Sequence, residues 1–136
     1  MYLALYDCLY YFVDCYGEPV YFNFADYQFY EYEERQSLVN QEVYAKNDFI
    51  PVPKISIDEI MKEFLTGKKN IHLLRMMGSK DFTQKFYWYI EDNRFVEEFN
   101  AFEKLKIMDF AVQWCNTNGI NYSCKSGDSS WFEPAL

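Results

Sequence analysis

The sequence has one histidine, His72, and no closely spaced pair of cysteines. Structural zinc sites draw their ligands from such pairs, whereas Cys8 and Cys15 are seven residues apart and Cys115 and Cys124 are nine apart. We therefore predict no metal, no cofactor and four free thiols. A Cys-His catalytic dyad has only His72 to draw on, and no cysteine is next to it in sequence, so we predict no catalytic residues.

Glycine and basic side chains are also scarce. The five glycines stand singly, so the sequence contains no glycine-rich loop of the kind that cradles phosphates. Thirteen Lys and Arg against 21 Asp and Glu give a net charge of −8. A surface of this sign repels phosphate backbones and anionic lipid headgroups. We therefore predict no direct binding to nucleic acid.

Long apolar runs are absent, and none approaches the ~20 residues needed to span a membrane. The apolar start of the chain lacks the basic segment of a signal peptide and carries Asp7 and Asp14. We therefore expect a cytoplasmic protein without membrane segments, in a compartment that keeps thiols reduced.

Aromatic residues are abundant, at 21% of a chain of 136 residues that is half hydrophobic. This length is typical of one domain, and large rings are expected to fill its core. We predict a single α+β domain over residues 1–136. Its predicted parts are a β-rich part at 1–34, a connector at 35–55, a helical part at 56–119, and a short strand and tail at 120–136.

The N-terminal part, CLYYFVDCYGEPVYFNF, has two aromatic and β-branched runs on either side of Gly17 and Pro19. This pattern predicts an antiparallel β-hairpin. The alternation in ADYQFYEYEE favours a third strand and thus a three-stranded meander, with a helix beginning near Asp26 as the alternative. Residues 25–40 stay open between strand and helix.

About four helices are predicted to form a bundle behind this sheet. The sequence SIDE, starting at Ser56, is typical of a capping box before a first helix that ends at Gly67. NIHLLRMM predicts a short second helix, and Ser79 is the expected cap of a third. Its apolar stripe is Phe82, Phe86, Tyr89 and Ile90. Residues from Arg94 onward predict one long helix, or two helices broken near 103–106.

The segment DFAVQWCNTNGINYSC combines a tryptophan, two cysteines and a turn sequence. Ala111, Trp114 and Cys115 continue the apolar stripe of the last helix, so we interpret the segment as a helix end rather than a reactive site. Asn118 and Gly119 favour the left-handed conformation that terminates helices, and INY predicts a short strand. In the tail, Trp131 and Phe132 either dock onto the body or belong to a flexible arm.

Three segments carry a family resemblance: YYFVDCYGEPVYF, NDFIPVPKISIDEIMKEF and DFTQKFYWYIEDNRFVEEFNAFEKLKIMDFAVQWCNTNGINY. Their rings, caps and turns resemble those of the bacterial Uncharacterised Protein Family 0158 in order and spacing. The resemblance implies a shared fold. It implies no catalytic residues, because that family has no established activity.

The arrangement of tyrosines and acidic residues along the sequence is the basis for predicting a function. Tyrosines alternate with acids, and tyrosine is well suited to protein interfaces because it combines a large apolar area with a polar end. We therefore expect a non-enzymatic interaction domain for a partner with a basic surface, such as an inhibitor, immunity or adaptor protein of a bacterium or phage. The predicted contact residues are Tyr27, Tyr30, Glu31, Tyr32, Glu33, Glu34 and Tyr87.

Two questions stay open from the sequence. The alternative function is a small-molecule sensor or an enzyme with a pocket between the sheet and the helices, in which His72, a cysteine or a carboxylate pair would converge. Pairing of two copies of the chain is also compatible with the sequence.

Overall fold

The computed structural model describes residues 1–124 and has the predicted α+β class. The predicted tail, with Trp131 and Phe132, lies outside the described residues. The strands are β1 (Leu3–Ala4), β2 (Val20–Asn23), β3 (Gln28–Glu31), β4 (Phe49–Pro51) and β5 (Tyr122–Ser123). The helices are α1 (Tyr32–Asn40), α2 (Ile57–Gly67), α3 (Ile71–Arg75), α4 (Phe82–Asp92) and α5 (Val96–Asn118), with 3-10 segments at Leu5–Phe12 and Lys46–Asp48.

Three strands form an antiparallel sheet in the order β3-β2-β4. Tyr21 of the central strand pairs with Tyr30 on one side and with Pro51 on the other. The sheet is therefore not a meander, because β4 adds to the free edge of β2 and not to β3. Pro51 ends the edge strand β4, a place where its missing N–H is tolerated.

The predicted hairpin around Gly17 and Pro19 is wrong. Its first half is the 3-10 segment Leu5–Phe12, and the hairpin that forms joins β2 to β3. Leu5, Cys8 and Phe12 are buried at spacings of three and four residues, which is a helical period. Burial of that face against the helices outweighs the β propensity of the tyrosines in the segment.

The predicted connector at 35–55 is also largely structured, since it contains most of α1 and all of β4. Residues 25–40, for which the sequence left strand and helix open, contain both a strand and a helix, because β3 runs directly into α1. At this junction the Glu34 side chain accepts the backbone N–H of Glu31 at 3.1 Å, which is one half of a capping box. This cap fixes the helix start at Tyr32 and not near Asp26.

The helical part follows the predicted pattern closely. Ser56 Oγ accepts the backbone N–H of Glu59 at 3.4 Å, and α2 ends at Gly67. Asn70 caps α3 through the N–H of Leu73 at 3.1 Å. The predicted Ser79 cap of α4 is wrong, because that helix begins three residues later, after Asp81, which makes no side-chain cap hydrogen bond.

The last helix, α5, is continuous, so the alternative of a break near 103–106 is wrong. It ends where the turn sequence predicts: Gly119 has φ 68°, and the N–H of Ile120 returns to the carbonyl of Cys115 at 2.9 Å. The predicted strand follows as β5, which pairs in parallel with β1. Trp114 is half-buried, and its ring packs edge-on against Phe12 at 5.4 Å and Phe22 at 5.7 Å. It thereby joins α5 to the first 3-10 segment and to the sheet.

Candidate functional site

Two tyrosines of the predicted contact surface are turned toward the protein itself. The ring of Tyr27 packs edge-on against Phe22 at 5.1 Å, and its hydroxyl accepts the backbone N–H of Asn121 at 3.3 Å. The hydroxyl of Tyr30 donates to Asp26, and its ring packs against Phe49 at 5.9 Å. Both residues are half-buried and are held by contacts within the protein, and their role as contact residues stays a prediction.

The other five predicted contact residues lie in two separate parts of the structure, at the start of α1 and on α4. Glu31 is half-buried and accepts the hydroxyl hydrogen bond of Tyr16. Tyr32, Glu33 and Glu34 are exposed on the first turn of α1. Tyr32 and Glu33, together with Glu31 and Glu18, line a groove of about 330 Å³. Tyr87 is exposed on α4 and lines a different cavity. The structure therefore does not bring the seven predicted residues together on one surface.

The cavity that contains Tyr87 is a cleft of about 750 Å³ between the first 3-10 segment and helices α2, α4 and α5. We call it the acidic cleft. Its apolar lining consists of Leu9, Val13, Ile57, Met61 and Ile107. Its polar and titratable side chains are Asp14, Cys15, Asp58, Tyr87, Glu103 and Lys104, together with Tyr6, Tyr10 and Thr83. No residue of the three-stranded sheet lines it.

The periodicity of each element explains which side chains meet there. Ile57 and Met61 lie one turn apart on α2, as do Thr83 and Tyr87 on α4. In the 3-10 segment the buried face points to the core, and Leu9 and Tyr10 are left on the side of the cleft. With Glu103 and Ile107 of α5, one turn apart, the faces of four helical segments border the cleft.

Burial perturbs two acids of the cleft. The pKa of the Glu103 carboxyl is raised by desolvation, and the neighbouring Lys104 opposes this only in part. The pKa of the Tyr87 hydroxyl is raised first by desolvation, then by the charges of Glu103 and Cys15. Acids with perturbed pKa values inside a cleft are typical of functional sites.

The sequence interpretation missed Glu103, although a signal for it was present. Phe99, Glu103 and Ile107 lie at intervals of four residues on α5, and the two apolar residues are buried. A carboxylate at a core-facing position of a helix is unusual, because charged groups are seldom buried without a partner. The predicted helix break at 103–106 concealed this regularity.

Other reactive groups do not assemble into a site. Within residues 1–124 no group of three or more His, Cys, Asp and Glu side chains is placed to hold a metal ion. His72 is exposed on α3 and does not line the acidic cleft. All four cysteines are free thiols: Cys8 and Cys115 are buried, Cys124 is half-buried and Cys15 is exposed in the cleft. Burial raises the pKa of Cys8 and of Cys115 to about 12, so neither is a reactive thiolate at neutral pH.

The hydrogen bond from the Tyr30 hydroxyl to Asp26 makes the free energy of unfolding depend on pH in the alkaline range. This bond, followed by burial, raises the pKa of Tyr30 above its usual value near 10. The unfolded phenol ionises first, so the stabilisation is complete below about pH 10 and declines as the pH rises toward the folded pKa. We expect the free energy of unfolding to fall more between about pH 9 and 11 in the wild type than in Tyr30→Phe, measured by urea denaturation. Equal losses in the two proteins would show that Asp26 does not hold this proton.

Comparison of the chain with models of protein families, with curated proteins and with solved structures finds no match. The resemblance to Uncharacterised Protein Family 0158 therefore stays a prediction. Among residues 1–124 no helix combines the length and the apolar character that a bilayer span requires.

Proposed function

We propose that the chain is a non-enzymatic interaction domain that holds a basic, apolar segment of a protein partner in the acidic cleft. One observation carries the proposal: the cleft joins an apolar lining to three carboxyl groups and one ammonium group. The apolar lining favours burial of an apolar side chain, and the excess of carboxylates favours basic neighbours on either side of it.

The exposed aromatic rings around the cleft support a protein as the occupant. Tyr10 is 51% exposed and Tyr87 41%. Tyrosine is over-represented among the residues that dominate binding energy at protein interfaces. With a net charge of −8, the whole chain attracts a basic partner, and association should slow as salt screens this attraction.

The proposal is tested by selecting short random peptides, displayed on phage, for binding to the full chain. We expect the selected peptides to combine Lys or Arg with Leu, Met or an aromatic residue, since these side chains complement the cleft. Thr83→Arg should abolish their binding, because it places a bulky cation on the cleft wall. Gln84→Arg adds the same charge one residue away, at an exposed position outside the cleft lining, and should leave binding intact.

Two results would contradict the proposal. Selection of acidic or uncharged peptides would remove its electrostatic basis, and equal binding by the two arginine variants would place the site elsewhere. A third variant, Glu33→Lys, changes the charge of the α1 surface, which the sequence favours as the contact region. If it alone reduces peptide binding, the surface around Tyr32 replaces the cleft as the site.

A small-molecule occupant is the second candidate. The volume of about 750 Å³ falls within the range of ligand pockets, and a thiol, a phenol and a carboxyl group converge in the cleft at Cys15, Tyr87 and Glu103. A thermal-shift screen of small organic amines tests this function. It is favoured over the protein partner if an amine stabilises the wild type but not Thr83→Arg, and if no peptide is selected.

A further inference from the structure

Glu103 lies on the side of α5 that faces the acidic cleft, one turn after the buried Phe99 and one turn before the buried Ile107. Its carboxyl group is thus held by a core-facing stretch of helix and not by a mobile loop. A half-buried carboxylate normally requires a cationic partner to offset its desolvation.

Within the part that the structure describes, Lys104, the next residue along α5, offsets the desolvation of Glu103 only in part. Glu63 pairs with Lys106 at 2.6 Å, and Glu98 pairs with Lys68, but Glu103 forms no salt bridge among residues 1–124. The charged and titratable groups that share the cleft with it are Asp14 and Cys15 after the 3-10 segment, Asp58 on α2, Tyr87 on α4 and Lys104 beside it on α5, with Tyr6 and Tyr10 of the 3-10 segment. Most of these groups are acidic or neutral, so their arrangement favours an added positive charge.

We infer that Glu103 is the specificity-determining residue of the cleft and selects a lysine or arginine side chain of the bound segment. The inference rests on the proposed function and adds the chemistry that the segment must carry. The methylene stem of such a side chain would pack against the apolar lining and the ring of Tyr87, and its charged end would meet the carboxylate. The raised pKa of Glu103 is consistent with this role, because a bound cation would relieve the cost of ionising the group.

The test uses a peptide selected on the full chain, and a copy in which its basic residue is replaced by norleucine. Norleucine keeps the apolar stem and removes the charge. We expect wild-type protein to bind the basic peptide about 10- to 100-fold more tightly than the norleucine copy, as for a hydrogen bond between charged groups. Glu103→Gln should lose this preference. Glu97→Gln, at an exposed position on the same helix, should retain it.

The pH dependence of peptide affinity is a second measurement, and a purely structural role of Glu103 would leave it unchanged. Affinity of the wild type for the basic peptide should rise with pH as Glu103 ionises, whereas Glu103→Gln should show a flat profile over the same range. Glu103→Gln should also melt at the same temperature as the wild type or higher at neutral pH, because it removes a desolvated charge. Any loss of binding in this variant therefore does not reflect unfolding.

The outcomes separate this inference from the proposed function. If Thr83→Arg blocks the peptide but the basic and norleucine copies bind the wild type equally, Glu103 does not determine specificity, although the cleft remains the site. Retention of the preference by Glu103→Gln has the same meaning. If no selected peptide is blocked by Thr83→Arg, the proposed function and the role of Glu103 are both overturned.

Discussion

Phe86→Ala is expected to lower the free energy of unfolding by about 3 to 5 kcal/mol, the range observed when a large ring is removed from a core. Phe86 is fully buried on α4. Its ring packs edge-on against Phe99 at 4.8 Å and Phe64 at 6.3 Å, and lies near Phe82 at 6.1 Å. These contacts join α2, α4 and α5, so truncation leaves a cavity where three helices meet, and the rigid neighbouring rings limit collapse around it.

Trp88→Ala is the matched control, since it removes a larger ring two residues further along the same helix. Trp88 is 53% exposed, and we expect a loss of less than about 1 kcal/mol. Urea denaturation at neutral pH measures both variants, and unchanged m-values would show that each unfolds as the wild type does. A loss below about 1 kcal/mol for Phe86→Ala would contradict the packing of α4 against its neighbours.

The helical half of the fold could be predicted because its signals are local. Apolar residues recur with a period near 3.6, and the stops at Gly67 and Gly119 and the cap at Ser56 are chemical requirements of helix ends. The exact start of α4 could not be predicted in this way. Ser79 has the right chemistry for a cap, but the helix begins at Phe82, whose ring is buried between the helices.

The N-terminal half could be predicted only in part, because aromatic residues fit a strand and a 3-10 segment equally well. What decides between them for Leu5–Phe12 is burial of Leu5, Cys8 and Phe12 against residues distant in sequence, such as Trp114. The topology β3-β2-β4 has a similar origin. Its outer strand, β4, comes from a segment that two prolines mark as extended but give no partner.

The candidate site, too, could be predicted from the sequence only in part. Tyrosine has the same alternating pattern whether its hydroxyl reaches solvent or a buried acceptor, so the sequence could not show that Tyr30 donates to Asp26. Tyr87 is exposed, and its neighbours in the cleft come from segments that are distant in sequence, at 6–15, 57–61 and 103–107. Glu103 is the exception, because its spacing from Phe99 and Ile107 was visible in the sequence.

The second large effect is expected at Asn23, whose side chain holds the turn between β2 and β3. Asn23 is the buried polar residue of the sheet, with no exposed surface. Its Oδ1 accepts the backbone N–H groups of Ala25 at 2.7 Å and Asp26 at 3.2 Å, and its carbonyl accepts that of Tyr27 at 2.8 Å. The turn therefore depends on one amide side chain, and Tyr27 adopts a φ of 58°, a conformation that a residue with a side chain rarely takes.

Asn23→Ala is expected to lower the free energy of unfolding by about 1 to 3 kcal/mol, because it removes the acceptor of two backbone N–H groups. Loss of the buried Nδ2, which has no hydrogen-bond partner among residues 1–124, offsets part of this effect. Asn100→Ala, on the exposed side of α5, should change stability little or raise it slightly, since alanine is the better helix former. Urea denaturation gives the two free energies. Amide hydrogen exchange tests the mechanism, because the N–H groups of Ala25 and Asp26 should lose protection in Asn23→Ala before those of α5 do. A loss below about 1 kcal/mol, or unchanged protection at these two amides, would show that the backbone of the turn persists without the asparagine and that β2 and β3 fix its geometry.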